Sequence, residues 1–517
     1  MTPGAARRPA GRRTARAVVV AALTGLVALT ACTPPDGLPR REPDVGGFDD
    51  APSSTGFATL ADVEAQPLAW GSCGNGAECA DVIVPLDYDD VAGQGIRLAL
   101  KRLPATGEAR GTILVNPGGP GESGVELVDA ATAIFGSEVL AKYDVVGFDP
   151  RGVGSSTQVR CLEPGEEDPT AVVFDLDDPA SVEEMRTAYA QLGQRCTELS
   201  GALLDHVDTE HAARDLDVLR ALVGDEQLTY VGYSYGTLLG AVYAGLFPER
   251  VGRLVLDSGI DPALGYADLQ SQQLDGFDDV FAAFVEQCQD EPACPLAADP
   301  DEAAEELLDV VAELDSDPLG SDAQDGELAG WELLYAVQGA MYTSDVWPDL
   351  VTGLADVVDG EDGSLVDEIG ATGALAGSDD PNYPFAYPAV DCTDYPVTSD
   401  VEEALGRARD LEASSPLFGE GSVGELACVL WPAKATVVRE PIAAEGAAPI
   451  LVVSALRDPA TPHAWSVALA DQLSSGRLLS YDGEGHAIYG GVSPCVDEAV
   501  DAYLLTGELP AEGTVCG

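Results

Sequence analysis

The chain has 517 residues, with 46% hydrophobic and 22% charged side chains, a globular composition that excludes a disordered or collagen-like protein. Its length calls for more than one domain-sized unit, or for one large core carrying an insertion. The 89 acidic residues against 26 basic ones give a net charge of −63, which repels phosphate backbones and excludes a nucleic-acid-binding role.

In chain order, residues 1–31 read as a signal peptide. Arg7, Arg8, Arg12, Arg13 and Arg16 form a positive start, and Ala17 to Ala31 follow without a charge. That apolar stretch falls short of the roughly 20 residues of a membrane-spanning helix and suits a signal-peptide core. It ends Leu29-Thr30-Ala31-Cys32, which resembles the bacterial lipobox and marks Cys32 as the lipidated first residue of a mature chain. An ordinary secretory signal with an incidental Cys32 is the alternative, and Arg12-Arg13 fits twin-arginine export poorly. Residues 32–60, rich in Pro, Gly and Asp up to Thr55, read as a flexible tether. The expected location is the cell surface, as a lipoprotein on the outer face of the cytoplasmic membrane, or the secreted fraction. Membrane contact is expected through the lipid anchor alone.

Short apolar, β-branched runs then recur. They are Gly111–Val115, Tyr143–Phe148, Leu228–Gly232, Arg253–Leu256, Pro449–Val453 and Arg477–Tyr481. Continuous apolar runs of this length suit strands buried on both faces of a parallel sheet. Helical patterns fill the gaps. Thr209 to Val223 is capped by Asp208 or Thr209, and Thr237 to Phe247 is stopped by Pro248. This alternation predicts an α/β fold with a wound, mostly parallel sheet. The interval 261–439 shows helical patterns, such as Leu274 to Gln287 and Ala303 to Leu314, and little strand signal. It reads as a largely helical cap insertion between a first core part, 61–260, and a C-terminal core part, 440–517. A smaller excursion runs from Cys161 to Cys196.

Without Cys32, ten cysteines remain: 73, 79, 161, 196, 288, 294, 392, 428, 495 and 516. An even number in an exported chain suggests five disulfides. Joining neighbours gives Cys73–Cys79, Cys161–Cys196, Cys288–Cys294, Cys392–Cys428 and Cys495–Cys516, although spacing alone does not fix connectivity. No CxxC pair occurs and the chain has four histidines, so no metal site and no cofactor are expected.

The run Leu228–Gly232 leads straight into Gly232-Tyr233-Ser234-Tyr235-Gly236, and a helix follows. This is G-x-S-x-G in a strand–turn–helix setting, in which a strained turn lifts the Ser234 hydroxyl above the sheet edge. His486 is the expected base, in the Gly-rich segment Asp482–Ala487 after the last strand. His206 and His211, five residues apart, do not match HExxH and read as helix-surface residues. His463 reads as a surface or capping residue at a helix start. Asp458, one strand before His486, is the expected partner of the imidazole, with Asp257 its rival. The oxyanion donors are expected from the N–H groups of Tyr235 and of Gly119, within Asn116–Gly124.

Taken together, these segments resemble the α/β-hydrolase tripeptidyl aminopeptidases and their proline iminopeptidase relatives. The resemblance rests on Val84–Tyr88, Asn116–Gly124, Asp149–Gly154, Gly232–Gly236, Asp458–Pro462 and Gly485-His486, and it spans Cys73 to Cys516. Pro117 stands where proline iminopeptidases usually carry His, as in the tripeptidyl branch. The resemblance implies an α/β-hydrolase fold and an exported serine hydrolase that removes short peptides from peptide substrates with a free N-terminus. It also implies carboxylates near the insertion that clamp the substrate amine, for which Glu122, Asp391 and Asp394 are the candidates. A carboxylesterase or lipase with the same triad is the alternative reading. Oligomeric state has no signature in the sequence.

Overall fold

The computed structural model describes residues 54–171, 174–321, 326–372, 382–419 and 423–517. The signal-peptide and Cys32 readings, and the tether up to residue 53, lie outside the described residues. From residue 54 the chain is already seated. Thr55 is buried, with its N–H donating to Gly93 O at 2.9 Å and its hydroxyl to Val91 O at 2.8 Å. Thr59 then caps a short helix, Leu60–Glu64.

Twelve strands occur among the described residues: β1 Gly71–Gly74, β2 Ala77–Pro85, β3 Gly95–Leu103, β4 Thr112–Asn116, β5 Asp144–Phe148, β6 Leu228–Tyr233, β7 Val251–Asp257, β8 Leu319–Gly320, β9 Glu327–Leu328, β10 Ile450–Arg457, β11 Gly476–Glu484 and β12 Val515–Cys516. Ten form one sheet in the order β1-β2-β3-β5-β4-β6-β7-β10-β11-β12. The β1-β2-β3-β5 pairings are antiparallel, and every pairing from β5 to β12 is parallel. The α/β-hydrolase fold expected from the sequence is therefore present.

The parallel strands are buried on both faces because alternate side chains feed different apolar clusters. Leu114, Val146, Tyr230, Leu254 and Val452 point into one cluster. Their neighbours Ile113, Val145, Val231, Val255 and Val453 point into the other. Strands β2 and β3 differ, since polar residues interrupt their outer face: Arg97 pairs with Asp81 at 2.7 Å and Arg102 with Glu78. They therefore form no continuous apolar run in the sequence.

The interval between β7 and β10 carries the helices Tyr266–Cys288, Pro300–Ser316, Gly330–Ala340, Trp347–Val358, Ser364–Thr372, Tyr383–Asp394, Val401–Ser414 and Gly424–Leu430. It also holds a small antiparallel ribbon, β8 with β9. Its first half has an apolar cluster of its own, around Phe281, Phe284, Leu333 and Trp347. Its later part does not stand apart. Phe385, Val390, Cys392 and Cys428 belong to the sheet's cluster. Ala404, Leu405 and Leu426 pack with Val182 and Met185 of the helix Pro179–Ser200, inside the smaller excursion.

Five disulfides close: Cys73–Cys79, Cys161–Cys196, Cys288–Cys294, Cys392–Cys428 and Cys495–Cys516. Among the described residues no helix is long and apolar enough to cross a membrane.

Candidate active site

Ser234 sits between the end of β6 and the helix Tyr235–Leu246, with φ 52° and ψ −121°. A positive φ is costly for a side chain with a Cβ, and the neighbouring glycines permit it. A Cβ on Gly232 would lie 2.4 Å from Gly236 O, and one on Gly236 would lie 2.9 Å from Asn116 O. The turn is held from below and behind. Ser234 N–H donates to Asp257 O at 2.9 Å, and Ser234 O accepts from Thr237 N–H and hydroxyl at 2.8 and 2.6 Å. Ser234 is half-buried, and its hydroxyl has no hydrogen-bond partner among the described residues.

Asp458 is the first residue past β10 and is fully buried. Its Oδ1 accepts from the N–H groups of Ala460 and Thr461 at 3.1 and 2.8 Å, and its Oδ2 from the Thr461 hydroxyl at 3.0 Å. These bonds aim the carboxylate at His486, whose Nδ1 lies 2.8 Å from Asp458 Oδ1. A proton on Nδ1 leaves the Nε2 lone pair available, as a base requires. Burial by itself would lower the imidazole pKa. The charge of Asp458, its hydrogen bond, and the charges of Asp257 and Glu122 outweigh burial and raise it. His486 is also fastened to the insertion. Its N–H donates to Tyr342 O at 3.0 Å, and the two rings meet edge to face with centroids 5.4 Å apart.

The rival acid is placed differently. Asp257, at the end of β7, is fully buried, and its Oδ2 accepts from Tyr489 N–H at 2.6 Å. Its Oδ1 has no partner among the described residues. Burial pushes its carboxyl up to about 6. Asp257 thus braces the backbone of the loop that carries His486, and Asp458 meets the ring. Ser258 and Ala487 also adopt positive φ here, and Ala487 N–H donates to Ser258 Oγ at 2.8 Å.

The Asn116–Gly124 loop lies against the Ser234 turn. Gly118, Gly119 and Gly121 have φ values of 119°, 96° and 105°. A Cβ on Gly118 would lie 2.9 Å from Ser234 Cβ, so Gly118 permits the close approach. Gly119 follows it, and a Cβ there would crowd Gly121 N at 2.8 Å. Tyr235 opens its helix, and its phenol meets the Thr209 hydroxyl at 2.8 Å.

The three candidate amine carboxylates divide. Asp394 is consumed by Thr209, whose N–H and hydroxyl occupy its two oxygens at 2.8 and 2.5 Å. Asp391 is buried on the same helix, with Oδ2 accepting from Tyr266 hydroxyl at 3.3 Å. Burial, and then the charge of Asp394, push Asp391 up to about 7. Glu122 is half-buried and makes no hydrogen bond among the described residues. Burial raises its pKa, and the nearby charge of His486 opposes that. Tyr383 feels the charges of both Glu122 and Asp391, and Gly121 packs against Tyr383 and Tyr387.

His463 begins a helix, and its Nδ1 lies 3.1 Å from Ser454 Oγ. His206 and His211 are half-buried and face each other, which differs from two solvated helix-surface residues. Tyr342 and Thr461 have no signature in the sequence as supports of the imidazole. Thr461 lies in the Asp458–Pro462 segment, where an Asx-type turn from Asp458 to Thr461 is the one local signal.

A model of the TAP-like protein family matches residues 415–516, which begins inside the insertion as read from the sequence. Serine protease Hip1 of Mycobacterium tuberculosis is 34% identical, covering 87% of this chain and 91% of that protein. Carboxylesterase B of the same organism is 36% identical over 93% of this chain and 95% of its own length. Tripeptidyl aminopeptidase of Streptomyces coelicolor is 34% identical over 85% of this chain and 83% of its own length. On this extent of identity and the α/β-hydrolase sheet, the chain belongs to the tripeptidyl aminopeptidase family of serine hydrolases.

Proposed function

We propose that the protein is an exported aminopeptidase that releases short, tripeptide-type fragments from the free N-terminus of peptides, using Ser234, His486 and Asp458. One observation carries the catalytic assignment. The imidazole of His486 is held by Asp458 at 2.8 Å on the same sheet rim as Ser234, whose backbone has a positive φ and whose hydroxyl has no hydrogen-bond partner among the described residues. His486 Nε2 takes the Ser234 proton as Oγ attacks the scissile carbonyl, and the Tyr235 and Gly119 N–H groups receive the oxyanion. His486 then passes the proton to the leaving amine. Water, deprotonated by the same imidazole, hydrolyses the acyl-enzyme. The sequence of steps requires no cofactor.

Exo-specificity is assigned to Glu122 and Asp391. Both are held above the usual carboxylate range by burial, and an incoming ammonium would favour their ionised forms. An internal peptide bond offers no such charge. Asp394 serves as a positioning residue, because Thr209 occupies its oxygens. The names of two of the relatives, a serine protease and a tripeptidyl aminopeptidase, agree with this reading. Export as a lipoprotein through Cys32, or as a secreted chain, is supported by the charged and apolar leader and by the five disulfides.

Esterase activity is the second reading, favoured by the name of the relative that is 36% identical. Turnover of a tripeptidyl anilide, its N-blocked form and a short acyl ester separates the two. Loss of turnover on blocking is expected; equal turnover of the blocked anilide, with faster ester cleavage, overturns the aminopeptidase assignment.

A further inference from the structure

Away from the reacting groups, Asp87, His206 and His211 converge, with one ligand atom from each lying within 4.8 Å of the others. We propose that this cluster is a binding site for a divalent transition metal ion of the zinc class, which ties the loop after β2 to the start of the helix Thr209–Leu222.

The spacing between the imidazoles is the first argument. His206 Nδ1 lies 3.3 Å from His211 Nε2. Two nitrogens bound to zinc at about 2.0–2.1 Å with tetrahedral angles stand about 3.3 Å apart. The second argument is the support behind two of the three ligands. His211 Nδ1 lies 2.6 Å from Asp208 Oδ2, and Asp208 Oδ1 accepts His211 N–H at 3.0 Å. A carboxylate behind an imidazole fixes its tautomer and turns the other lone pair toward the ion, as in carboxylate–histidine–zinc sites. Asp87 is steadied in the same manner. Its Oδ1 accepts from Asp89 N–H at 2.8 Å, and its other oxygen makes no hydrogen bond among the described residues.

The third argument is preorganisation. Arg151 is fully buried and gripped by Asp215, with contacts of 2.7 and 2.8 Å. Its remaining N–H groups donate to Pro85 O at 3.1 Å, Leu86 O at 2.9 Å and His206 O at 2.8 Å. One guanidinium therefore clamps the two segments that present Asp87 and His206, with no ion needed to bring them together. Two imidazoles and one carboxylate select zinc-like ions over Ca2+ or Mg2+, and three protein donors leave a fourth position for water.

The site does not touch the reacting atoms. Three residues beyond His206, Thr209 meets the Tyr235 phenol at 2.8 Å and the Asp394 carboxylate. A bound ion would stiffen the segment that backs the residue after Ser234, so its role is structural.

Metal uptake by the purified enzyme, stripped with chelator and then titrated with Zn2+ or Co2+, tests the proposal. The wild type should hold about one ion per chain and melt at a higher temperature when loaded. With Co2+ it should show the intense visible absorption of a tetrahedral site. The His206→Gln and His211→Gln variants should lose stoichiometric uptake, their apo melting curves reporting whether they fold. Asp208→Asn should weaken binding by about 10- to 100-fold, as loss of a carboxylate behind a ligand does. Because the surface is strongly acidic, weak zinc uptake at exposed carboxylates is the competing outcome. Equal uptake and equal melting shifts in the wild type and the histidine variants would overturn the proposal. So would a wild type that takes up no zinc, or one whose Co2+ spectrum is the pale one of octahedral water and carboxylate ligands; a plain imidazole–imidazole hydrogen bond would then account for the cluster.

Discussion

The rim of the parallel sheet and the helical insertion above it solve different problems. At the rim, each candidate catalytic group lies within two residues of a strand end: Ser234 after β6, Asp458 after β10, His486 after β11. Strands hydrogen-bonded on both sides fix those positions, so a short motif suffices to specify them. In the insertion, the groups that face the same site come from separate segments, the turn after the helix Gly330–Ala340 and the helix Tyr383–Asp394. Tyr342, Tyr383 and Asp391 reach it through packing that no local pattern encodes. Under the proposed function, proton transfer falls to the sheet rim and substrate choice to the insertion.

Substitutions can break that division, beginning with the largest effect. Ser234→Ala should lower kcat/KM by about 10^4- to 10^6-fold and abolish labelling by a fluorophosphonate probe. Labelling at the wild-type level would remove Ser234 from the mechanism. Within the rim, Asp458→Asn should lower kcat by about 10^4-fold through loss of the correct imidazole tautomer. Asp257→Asn, which alters a backbone brace, should stay within about tenfold of wild type, as for loss of one hydrogen bond. Equal losses in a side-by-side kinetic comparison would mean that the two acids share the role.

The insertion should respond through binding. Asp391→Asn should raise KM for a free-amine tripeptidyl anilide by about 10- to 100-fold, the worth of a charge-assisted hydrogen bond, and leave kcat and ester turnover near wild type. A fall in kcat on both substrates would place Asp391 in the chemistry. The smallest effect is on stability. Burial raises the Asp391 pKa to about 7, so the folded state binds this proton more tightly than the unfolded chain does. Its contribution is complete below the ordinary carboxylate pKa and is lost as pH rises through about 7. Melting temperatures measured from pH 4 to 8 should therefore fall less steeply in Asp391→Asn than in wild type. Parallel curves would show that general acidic repulsion sets the slope.

The two layers were also unequally legible. All six apolar runs correspond to strands, because apolar side chains dominate the strands that feed the two clusters flanking the sheet. Strands β2 and β3 escaped for the opposite reason, since ion pairs such as Arg97–Asp81 occupy their outer face, and β1 is short and exposed throughout. The glycines flanking Ser234 are dictated by contacts of 2.4 and 2.9 Å that a Cβ would make, so that motif records a steric fact. Asp458 and Asp257 both end or follow strands; sequence order favours Asp458, one strand before His486, and leaves Asp257 as a rival that hydrogen bonding places against the Tyr489 backbone instead. The insertion read correctly as helical, but its division among three apolar clusters depends on long-range packing. The five-residue spacing of His206 and His211 does not match HExxH, so the sequence does not signal their convergence. Their approach depends on Asp208 turning one ring toward the other at the helix start.

The bond from His486 N–H to Tyr342 O joins main chain to main chain. Any amino acid at either position could make it, apart from a proline in place of His486, so point substitutions at 342 would leave the attachment in place. Adding or deleting a single residue between Ala340 and Thr343 would instead shift the carbonyl out of register. Within this family, tolerance to indels at that spot is a better gauge of whether the proposed base is moored to the insertion than the identity of any side chain.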